Sequence, residues 1–295
     1  MRIDPTSLRL FVCVIEQGSI ARAAELNFIA ASAVSKRIKE LEQLLHTPLM
    51  MRTNRGVVAT PAGQALLQMS RGVLHQLDDI YNQMNEFSHG VRGPVRMVAN
   101  ISAISQFLPK QLRSFLNQNP LVQIHLEEKI SSEIVRAVAE NSADIGIVTI
   151  ASREYPDLSI YPYKTDRLVV ITPVGHPLGK NKEISFVDTL EYDYVGLHTG
   201  SAINNQMINA ATNANLPLNM RIQVTSYEAL SSMVESGLGI GLMPIDIARP
   251  YIKAARIEAL PLLDGWAHRE LKICVRRSDQ LLDAAHHLLT HLRTT

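Results

Sequence analysis

The sequence predicts three successive parts: an all-α N-terminal domain, a long linker helix and a larger α/β domain. Three observations support this order. Apolar residues recur at helical spacing through the first part, Thr60-Pro61 opens a further helical stretch, and strands alternate with helices after residue 91. A chain of 295 residues is also long for one hydrophobic core. We therefore assign residues 1–60, 61–90 and 91–295 to the three parts.

The composition is that of an ordinary globular protein, with 46% hydrophobic and 19% charged residues. The two cysteines, Cys13 and Cys274, are far apart, which supports neither a disulfide framework nor a cysteine metal site. No apolar run approaches the roughly 18 residues of a membrane span, and the first residues lack the pattern of an export signal. We expect a soluble, cytoplasmic protein that does not associate with membranes.

The charge distribution is more informative than the net charge of +1. Residues 1–60 contain eight Lys and Arg residues and five Asp and Glu residues, an excess of three positive charges. This mild basic excess suits a phosphate-binding face.

Three helices are predicted before residue 46. The first has the apolar stripe Leu8, Phe11, Val12 and Ile15 and ends at Gly18. Ser19 can cap the second helix, at residues 20–26. The third buries Val34, Ile38, Leu41 and Leu45, while Ser32, Lys36, Lys39 and Gln43 point away, with Ser35 at the side. That outer face suits a DNA major groove, although a solvated helix seen alone has the same pattern.

These motifs closely resemble the DNA-binding domain of LysR-type transcriptional regulators, without gaps over about sixty residues. The resemblance rests on Leu10-Phe11, Glu16-Gln17-Gly18-Ser19, Ala23-Ala24-Glu25, Ser32-Ala33-Val34-Ser35-Lys36-Arg37-Ile38-Lys39-Glu40-Leu41-Glu42, Thr47-Pro48-Leu49 and Arg52-Thr53-Asn54-Arg55-Gly56. It implies a winged helix-turn-helix. The helix that opens near Ser32 is then the recognition helix, and the hairpin after it is a wing at the minor groove.

The predicted DNA-binding residues are Ser19, Ala31, Ser32, Ser35, Lys36, Lys39, Arg52 and Arg55. Arg55 is the candidate for the minor groove, because a narrow A·T tract attracts a cation.

The sequence departs from the family at three positions. Ala30 and Ala31 stand where Ser and Gln are usual, so a helix cap and a frequent base-contacting amide are missing. We expect base readout to rest more on Ser32, Ser35 and Lys36. Asn27 stands where an apolar residue is usual, and Phe28 is expected to pack in its place.

A long helix is predicted to follow the wing, with Thr60 as N-cap and Pro61 at the first helical position. Spacings of four and three then alternate, as in a coiled-coil seam, at Leu66, Ser70, Val73, Leu77, Ile80, Met84 and Phe87. Such a stripe packs either within one chain or against a second chain. The resemblance and the two half-sites of an operator favour dimerisation through Leu66, Val73, Leu77, Ile80 and Met84. Gly90, Gly93 and Pro94 are expected to end the helix at a hinge.

Residues 91–295 are predicted to alternate strands with helices, an order typical of a parallel sheet covered by helices. The predicted strands are residues 95–101, 122–126, 144–150, 167–173, 194–197, 222–225 and 270–275. The predicted helices are residues 107–117, 131–141, 202–214, 227–236 and 279–292.

This part resembles the effector domain of LysR-type regulators, which has two lobes similar to periplasmic binding proteins. The resemblance rests on Gly93-Pro94-Val95-Arg96, Phe107-Leu108-Pro109, Ala143-Asp144-Ile145-Gly146-Ile147, His176-Pro177-Leu178 and Gly237-Leu238-Gly239-Ile240-Gly241-Leu242-Met243-Pro244. It implies a lobe I of residues 91–165 and 268–295, a lobe II of residues 166–267, and a ligand between them.

Polar side chains follow several predicted strands, where helix N-termini offer free N–H groups. The predicted effector-binding residues are Asn100, Ile101, Ser102, Ser131, Thr149, His198, Ser201 and Thr225. Such a cluster suits a small carboxylate or another polar metabolite. Each hydroxyl or amide is equally typical of an ordinary helix cap.

Other functions find less support. Gly237-x-Gly239-x-Gly241 follows a predicted helix and precedes a strand, the reverse of a dinucleotide-binding loop. His287 and His291 stand four residues apart but lack the flanking carboxylate of a metal motif. A solute-binding protein would explain residues 91–295 but not residues 1–60. No nucleophile or cofactor-loop motif is present, and we expect neither an enzyme nor a bound cofactor or metal.

The expected protein is a transcription regulator that binds double-stranded operator DNA and responds to a small-molecule effector, with small organic anions among the candidates. RNA polymerase is a further partner if it is an activator. The resemblance implies a homotetramer made of two dimers. Ligand binding is expected to change the angle between the lobes and so move the linker helices.

Overall fold

The computed structural model describes residues 3–53, 56–89, 91–149, 155–277 and 281–294, and excludes the side chains at 79, 81–83 and 85–89. The chain divides into two compact units. Unit 1 comprises Met1–Gly90 with Glu140–Ser142, and unit 2 comprises Val91–Ala139 with Ala143–Thr295. Across the described ranges, no helix has the length and apolar character needed to cross a membrane.

Unit 1 begins with three helices that are joined by short turns: α1 (Pro5–Gln17), α2 (Ile20–Leu26) and α3 (Ala31–Leu45). Gly18 ends α1 with a φ of 61°, a left-handed conformation that glycine adopts without strain. The Ser19 hydroxyl then accepts a hydrogen bond from the Arg22 N–H at 3.3 Å and caps α2, as predicted. These local signals fix where α1 ends and α2 begins.

An antiparallel hairpin and a long helix complete unit 1. The hairpin consists of β1 (Met50–Thr53) and β2 (Gly56–Ala59). The helix, α4 (Pro61–His89), starts at the predicted cap, where the Gly63 N–H donates to Thr60 Oγ1 at 3.0 Å. A Cβ at Gly63 would lie 1.8 Å from the Leu49 carbonyl oxygen, so glycine permits the close approach of α4 to the chain before β1.

The core of unit 1 is formed by all four helices and the hairpin. Its buried members include Phe11, Val34, Ile38 and Leu66. In α1, Leu10 and Val14 are buried with Leu8 and Phe11, whereas the predicted Val12 and Ile15 are only half-buried. One side of α3 therefore packs in the core, and its other side is exposed to solvent.

Unit 2 is an α/β structure. Its strands are β3 (Gly93–Ala99), β4 (Val122–Glu128), β5 (Ile145–Val148), β6 (Leu158–Thr172), β7 (Tyr194–Leu197), β8 (Met220–Val224), β9 (Gly241–Pro244), β10 (Glu258–Pro261) and β11 (His268–Arg276). Its helices are α5 (Ile101–Gln106), α6 (Leu108–Gln118), α7 (Ser131–Ala139), α8 (Ala202–Asn213), α9 (Tyr227–Glu235), α10 (Ile245–Lys253) and α11 (Asp283–Thr294).

The main sheet has the strand order β10-β6-β11-β5-β3-β4, with β9 also paired to β6, and β7 and β8 form a small parallel pair. β3 runs parallel to both β4 and β5, but β11 runs antiparallel to β5 and β6. The prediction of a parallel sheet is therefore confirmed for β3, β4 and β5 but wrong for the pairings of β11 and β6. The reason is that β6 carries the chain out of one half of the unit and β11 brings it back alongside.

Two hydrophobic cores confirm the prediction of two lobes. The core of lobe I lies among β3, β5, β11, α6 and α11, and a further cluster below α7 covers the other face of its sheet. The core of lobe II lies among the second half of β6, β7, β9, α8 and α9. Because β6 contributes residues to both halves, it is one of the two strands, with β11, that link them covalently.

Several elements differ from their predicted bounds. β3 ends at Ala99 because Asn100 caps the short helix α5, which was not predicted. β6 begins at Leu158 rather than near residue 167, and α10 and β10 were not predicted.

Candidate DNA-binding and effector-binding sites

The outer face of α3 is the first candidate site. Ser32, Lys36, Lys39 and Gln43 are exposed, Ser35 is half-buried, and Val34, Ile38 and Leu41 lie in the core. The side chain of Lys36 is 78% exposed, and its only described ion pair is a long contact of 3.9 Å with Glu40. The helix thus presents hydroxyl, amide and ammonium groups on one side, as its periodicity predicted.

The start of α3 lacks a side-chain cap, as the Ala30 departure predicted. Ala30 is the N-cap residue and makes no side-chain hydrogen bond, and Ala31 follows as an exposed first residue. Among the other predicted residues, Ser19 is occupied in capping α2, and Arg52 is exposed on β1. Arg55 lies outside the described residues. The structure therefore groups Ala31 to Lys39 on one helix and places Ser19 and Arg52 on neighbouring elements.

The prediction that Phe28 packs in place of an apolar residue is wrong. Its side chain is 96% exposed, and its φ of 54° is left-handed, which is unusual for a bulky residue. Asn27 instead turns back on α2, where its Nδ2 donates to the Ala23 carbonyl at 2.8 Å. The left-handed turn directs the aromatic ring out of the core.

The stripe on α4 divides into two parts. Leu66 is only 7% exposed and packs in the core of its own chain, so its side chain does not lie on the free face predicted for it. Val73, Leu77, Ile80 and Met84 are all exposed, Ile80 by 59%. The side chain of Phe87 lies outside the described set. An apolar strip thus remains on the second half of α4.

A cleft between the lobes is the second candidate site. Six of the eight predicted effector-binding residues line it, namely Asn100, Ile101, Ser102, Ser131, His198 and Ser201. Thr149 lies behind them, where its Oγ1 accepts from Asn100 Nδ2 at 3.0 Å and its N–H donates to Ser131 Oγ at 3.3 Å. Thr225 is exposed and lies outside the lining. Strands from both lobes therefore bring most of the predicted residues together.

Two of these residues also cap helices. Asn100 Oδ1 accepts from the Ala103 N–H at 3.0 Å, and Ser201 Oγ accepts from the Asn204 N–H at 3.3 Å. The cleft itself is narrow, with about 10 Å³ of free volume, which is about the space of one water molecule. The described residues therefore leave little free space at this point between the lobes.

A buried ion pair that was not predicted lies at the base of the cleft. Arg269 is 3% exposed, and its Nε donates to Asp166 Oδ1 at 2.8 Å while its Nη2 donates to Asp166 Oδ2. The same Nη2 donates to Ser102 Oγ at 3.0 Å, and Ser102 Oγ lies 2.9 Å from the hydroxyl of Tyr227. This network of hydrogen bonds joins lobe I, the strands between the lobes, and α9 of lobe II.

The network leaves one donor unused. Arg269 Nη1 is buried and has no hydrogen-bond partner among the described residues. Burial raises the pKa of Tyr227 to about 12, so that its hydroxyl stays protonated at neutral pH. Arg269 lines the cleft, and its free Nη1 can donate to an oxygen there. Arg269 was not among the predicted residues, because those were sought at the carboxyl ends of strands. Arg269 is instead the second residue of β11.

A winged helix-turn-helix that is followed by a long helix and a two-lobed ligand-binding fold defines a class of DNA-binding regulators. Residues 5–64 match the bacterial regulatory helix-turn-helix proteins of the lysR family, and residues 88–295 match the LysR substrate binding domain. The chain belongs to the LysR family of transcriptional regulators, as the sequence predicted.

Curated relatives align over nearly the whole chain. An uncharacterized HTH-type transcriptional regulator, YbhD of Escherichia coli K12, is 28% identical over 291 residues, which cover 97% of this chain and 89% of the relative. The HTH-type transcriptional regulator GltR of Bacillus subtilis 168 is 27% identical and covers 97% of this chain and 95% of its own length. Both are transcriptional regulators, which agrees with the prediction of a regulator rather than an enzyme.

Solved structures share the fold. CbnR, a LysR family transcriptional regulator, has a TM-score of 0.73 at 18% identity, covering 99% of this chain and 98% of CbnR. The effector binding domain of QuiR in complex with shikimate has a TM-score of 0.59 at 17% identity, covering 68% of this chain and 95% of that domain.

Breaking the buried ion pair is expected to destabilise the protein strongly. The change Asp166→Asn leaves Arg269 without its counter-charge, which costs about 3–5 kcal/mol in a buried pair. The double change Asp166→Leu with Arg269→Met removes both charges and should recover much of that loss. Denaturant unfolding of the full chain measures both effects.

The control is Asp246→Asn, which removes an exposed partner of Arg249 and should change stability by less than about 1 kcal/mol. A loss for Asp166→Asn no larger than that of the control would contradict a role for the pair in holding the lobes together.

Proposed function

We propose that this regulator reads operator DNA with the outer face of α3, pairs with a second copy through α4, and binds a small organic anion between its lobes. Lobe I then comprises residues 91–165 and 268–295, and lobe II residues 166–267. The cytoplasm is where such a protein meets the chromosome and its effector. Two such dimers form a tetramer on DNA, and RNA polymerase is a further partner if the protein activates transcription.

The DNA-reading role rests on the chemistry and position of the α3 side chains. Lys36 and Lys39 extend from the exposed side of the helix, and neither is held in a close ion pair in the described structure. Lysine contacts phosphates or the acceptor edge of guanine, and serine bonds to either base or phosphate. Ser32 precedes Lys36 by one helical turn, so the first two turns of α3 supply both kinds of contact.

The pairing role rests on the second half of α4. Val73, Leu77, Ile80 and Met84 are exposed at alternating spacings of four and three, which is the seam of a two-stranded coiled coil. An exposed apolar strip of this kind is unusual in a monomer. Covering it with the same strip of a second copy gives the two-fold symmetry that matches two DNA half-sites.

The ligand class rests on the unused donor of Arg269. A carboxylate oxygen in the cleft would accept from its Nη1, which has no other acceptor among the described residues. The N-termini of α7 in lobe I and α8 in lobe II also meet at the cleft, since Ser131 and Ala202 both line it. Helix N-termini favour negative charge, and here one comes from each lobe.

An anion held in this way would couple the cleft to the angle between the lobes. It binds groups of both lobes when they are closed and groups of one lobe when they are open. A ligand shifts an equilibrium only by its difference in affinity for the two states, and this arrangement supplies such a difference.

Removing the Lys36 ammonium should weaken DNA binding. We expect Lys36→Ala to lower the affinity for a duplex selected by the wild-type protein about tenfold at physiological salt, because a base or phosphate contact is lost. Fluorescence anisotropy titration measures the affinity. Lys182→Ala, which removes an exposed lysine in unit 2, is the control and should bind as the wild type does. Equal affinities for all three proteins would exclude Lys36 from the interface.

A charge placed on the α4 strip should prevent pairing. Leu77→Glu introduces carboxylates that would face each other across the seam, so we expect a shift from dimer towards monomer at micromolar concentration. Sedimentation velocity measures the mass in solution. The neighbouring Gln76→Glu adds the same charge to an exposed position outside the strip and should leave the dimer intact. A dimer that survives Leu77→Glu would show that another surface holds the copies together.

The effector should bind through Ser131 but not through Ser132. A panel of metabolite carboxylates, each with its neutral amide, is screened by thermal shift; at least one acid should stabilise the chain and its amide should not. Ser131→Ala should then weaken the affinity for that acid by about tenfold, since it removes a cleft hydroxyl. Ser132→Ala changes an exposed neighbour outside the lining and should have no effect. Amides that stabilise as well as their acids would refute the anion assignment.

A further inference from the structure

A second groove lies beside the α5–α6 segment of lobe I and α10 of lobe II, with Lys164 of β6 at its edge. Its volume is about 750 Å³, within the range of roughly 300–1,000 Å³ that is usual for small-molecule sites. None of the residues that line the cleft also lines this groove. We infer that it is a separate binding site for a small organic carboxylate with an aromatic or alkyl body.

Two glutamines of the groove have unsatisfied amide atoms. Gln111 is 6% exposed, and its Oε1 accepts from the hydroxyl of Tyr163, whose pKa is raised by burial so that it remains a donor. Gln111 Nε2 is therefore left without an acceptor among the described residues. Gln106 Oε1 is likewise buried and without a donor there. Buried polar groups are rarely left unpaired, and a bound ligand is one way to satisfy them.

The charges of the groove favour an anion. Lys110 and Lys164 form no ion pair in the described part of the chain, whereas Asp246 is paired with Arg249 at 3.2 Å. Two ammonium groups thus remain without a carboxylate. A carboxylate ligand would supply the missing charge and would also be an acceptor for Gln111 Nε2.

The walls of the groove suit an apolar body. Phe107, Ile247, Pro250 and Tyr251 line it and are all partly accessible. Phe107 is held edge-on against Tyr163, with ring centroids 6.0 Å apart, and Tyr251 lies under the guanidinium of Arg256 at 5.5 Å. Rings held in this way are preorganised walls for a flat or branched ligand.

The groove is connected to the buried ion pair between the lobes. Gln106 Nε2 donates to Asp166 Oδ2 at 3.0 Å, and Asp166 is the partner of Arg269 in the cleft. The groove also takes its walls from both lobes, so its width changes whenever the angle between them changes. A ligand here therefore acts on the same equilibrium as a ligand in the cleft.

The test uses para-fluorophenylacetate as the probe and its neutral amide as the matched ligand. Binding to the full chain is followed by fluorine NMR line broadening. The acid should bind in the millimolar range or tighter, and the amide at least about fivefold more weakly, because it lacks the charge. Lys164→Gln and Lys110→Gln should each weaken the affinity for the acid by about fivefold, because each removes an ammonium group that has no carboxylate partner in the described structure. Lys253→Gln, on α10 but outside the groove, should have no effect.

A cleft variant separates this site from the effector site. His198→Ala removes a side chain that lines the cleft and should leave the affinity of the probe unchanged. Loss of probe binding in His198→Ala, with none in Lys164→Gln or Lys110→Gln, would place the probe in the cleft and overturn the assignment of the groove. Equal binding of acid and amide, or no binding of the acid at millimolar concentration, would also overturn it. None of these results bears on DNA binding or on the Ser131 test.

Discussion

The two-lobed unit depends on the cross-strand pair of Arg269 and Asp166. The two residues lie directly opposite each other in the antiparallel register of β11 and β6, where the two crossings between the lobes run side by side. Both side chains are almost completely buried, at 0% and 1% exposure. A buried charge without its partner is costly, so the position of one crossing strand is tied to that of the other. Arg269 also donates to Ser102, which lies beside the Tyr227 hydroxyl, and Asp166 accepts from Gln106, so the pair is linked to residues of both the cleft and the groove.

The DNA-reading unit depends on a simpler constraint, the burial of one side of α3. Val34, Ile38 and Leu41 have almost no exposed surface, and together they fix how α3 is rotated about its axis. Rotation by one residue would turn a lysine towards the core. The apolar stripe therefore determines which side chains are offered to a duplex, and DNA-contacting residues on the other side are free to vary without loss of the fold.

The parts of this structure that follow local rules were predictable from the sequence. Ser19 and Thr60 cap helices through residues three positions ahead, and the α3 stripe is a matter of spacing. The role of Arg269 was not predictable in this way, because it depends on an ion pair with Asp166, which lies 103 residues away. The first half of β6 carries no continuous apolar run, because it is only half-buried, and its sequence therefore does not predict a strand. The burial of Phe28 was predicted wrongly, because the left-handed backbone conformation at this residue decides where its ring points. An aromatic residue does not indicate such a conformation.

The narrowness of the cleft has a kinetic consequence. The described cleft has space for about one water molecule, so a metabolite would enter only as the lobes or the lining side chains move apart, and the rate of that motion would then limit its capture. Escape needs the same opening, which lengthens the residence time of a bound molecule. A sensor gated in this way averages over brief fluctuations in metabolite concentration and follows the sustained level.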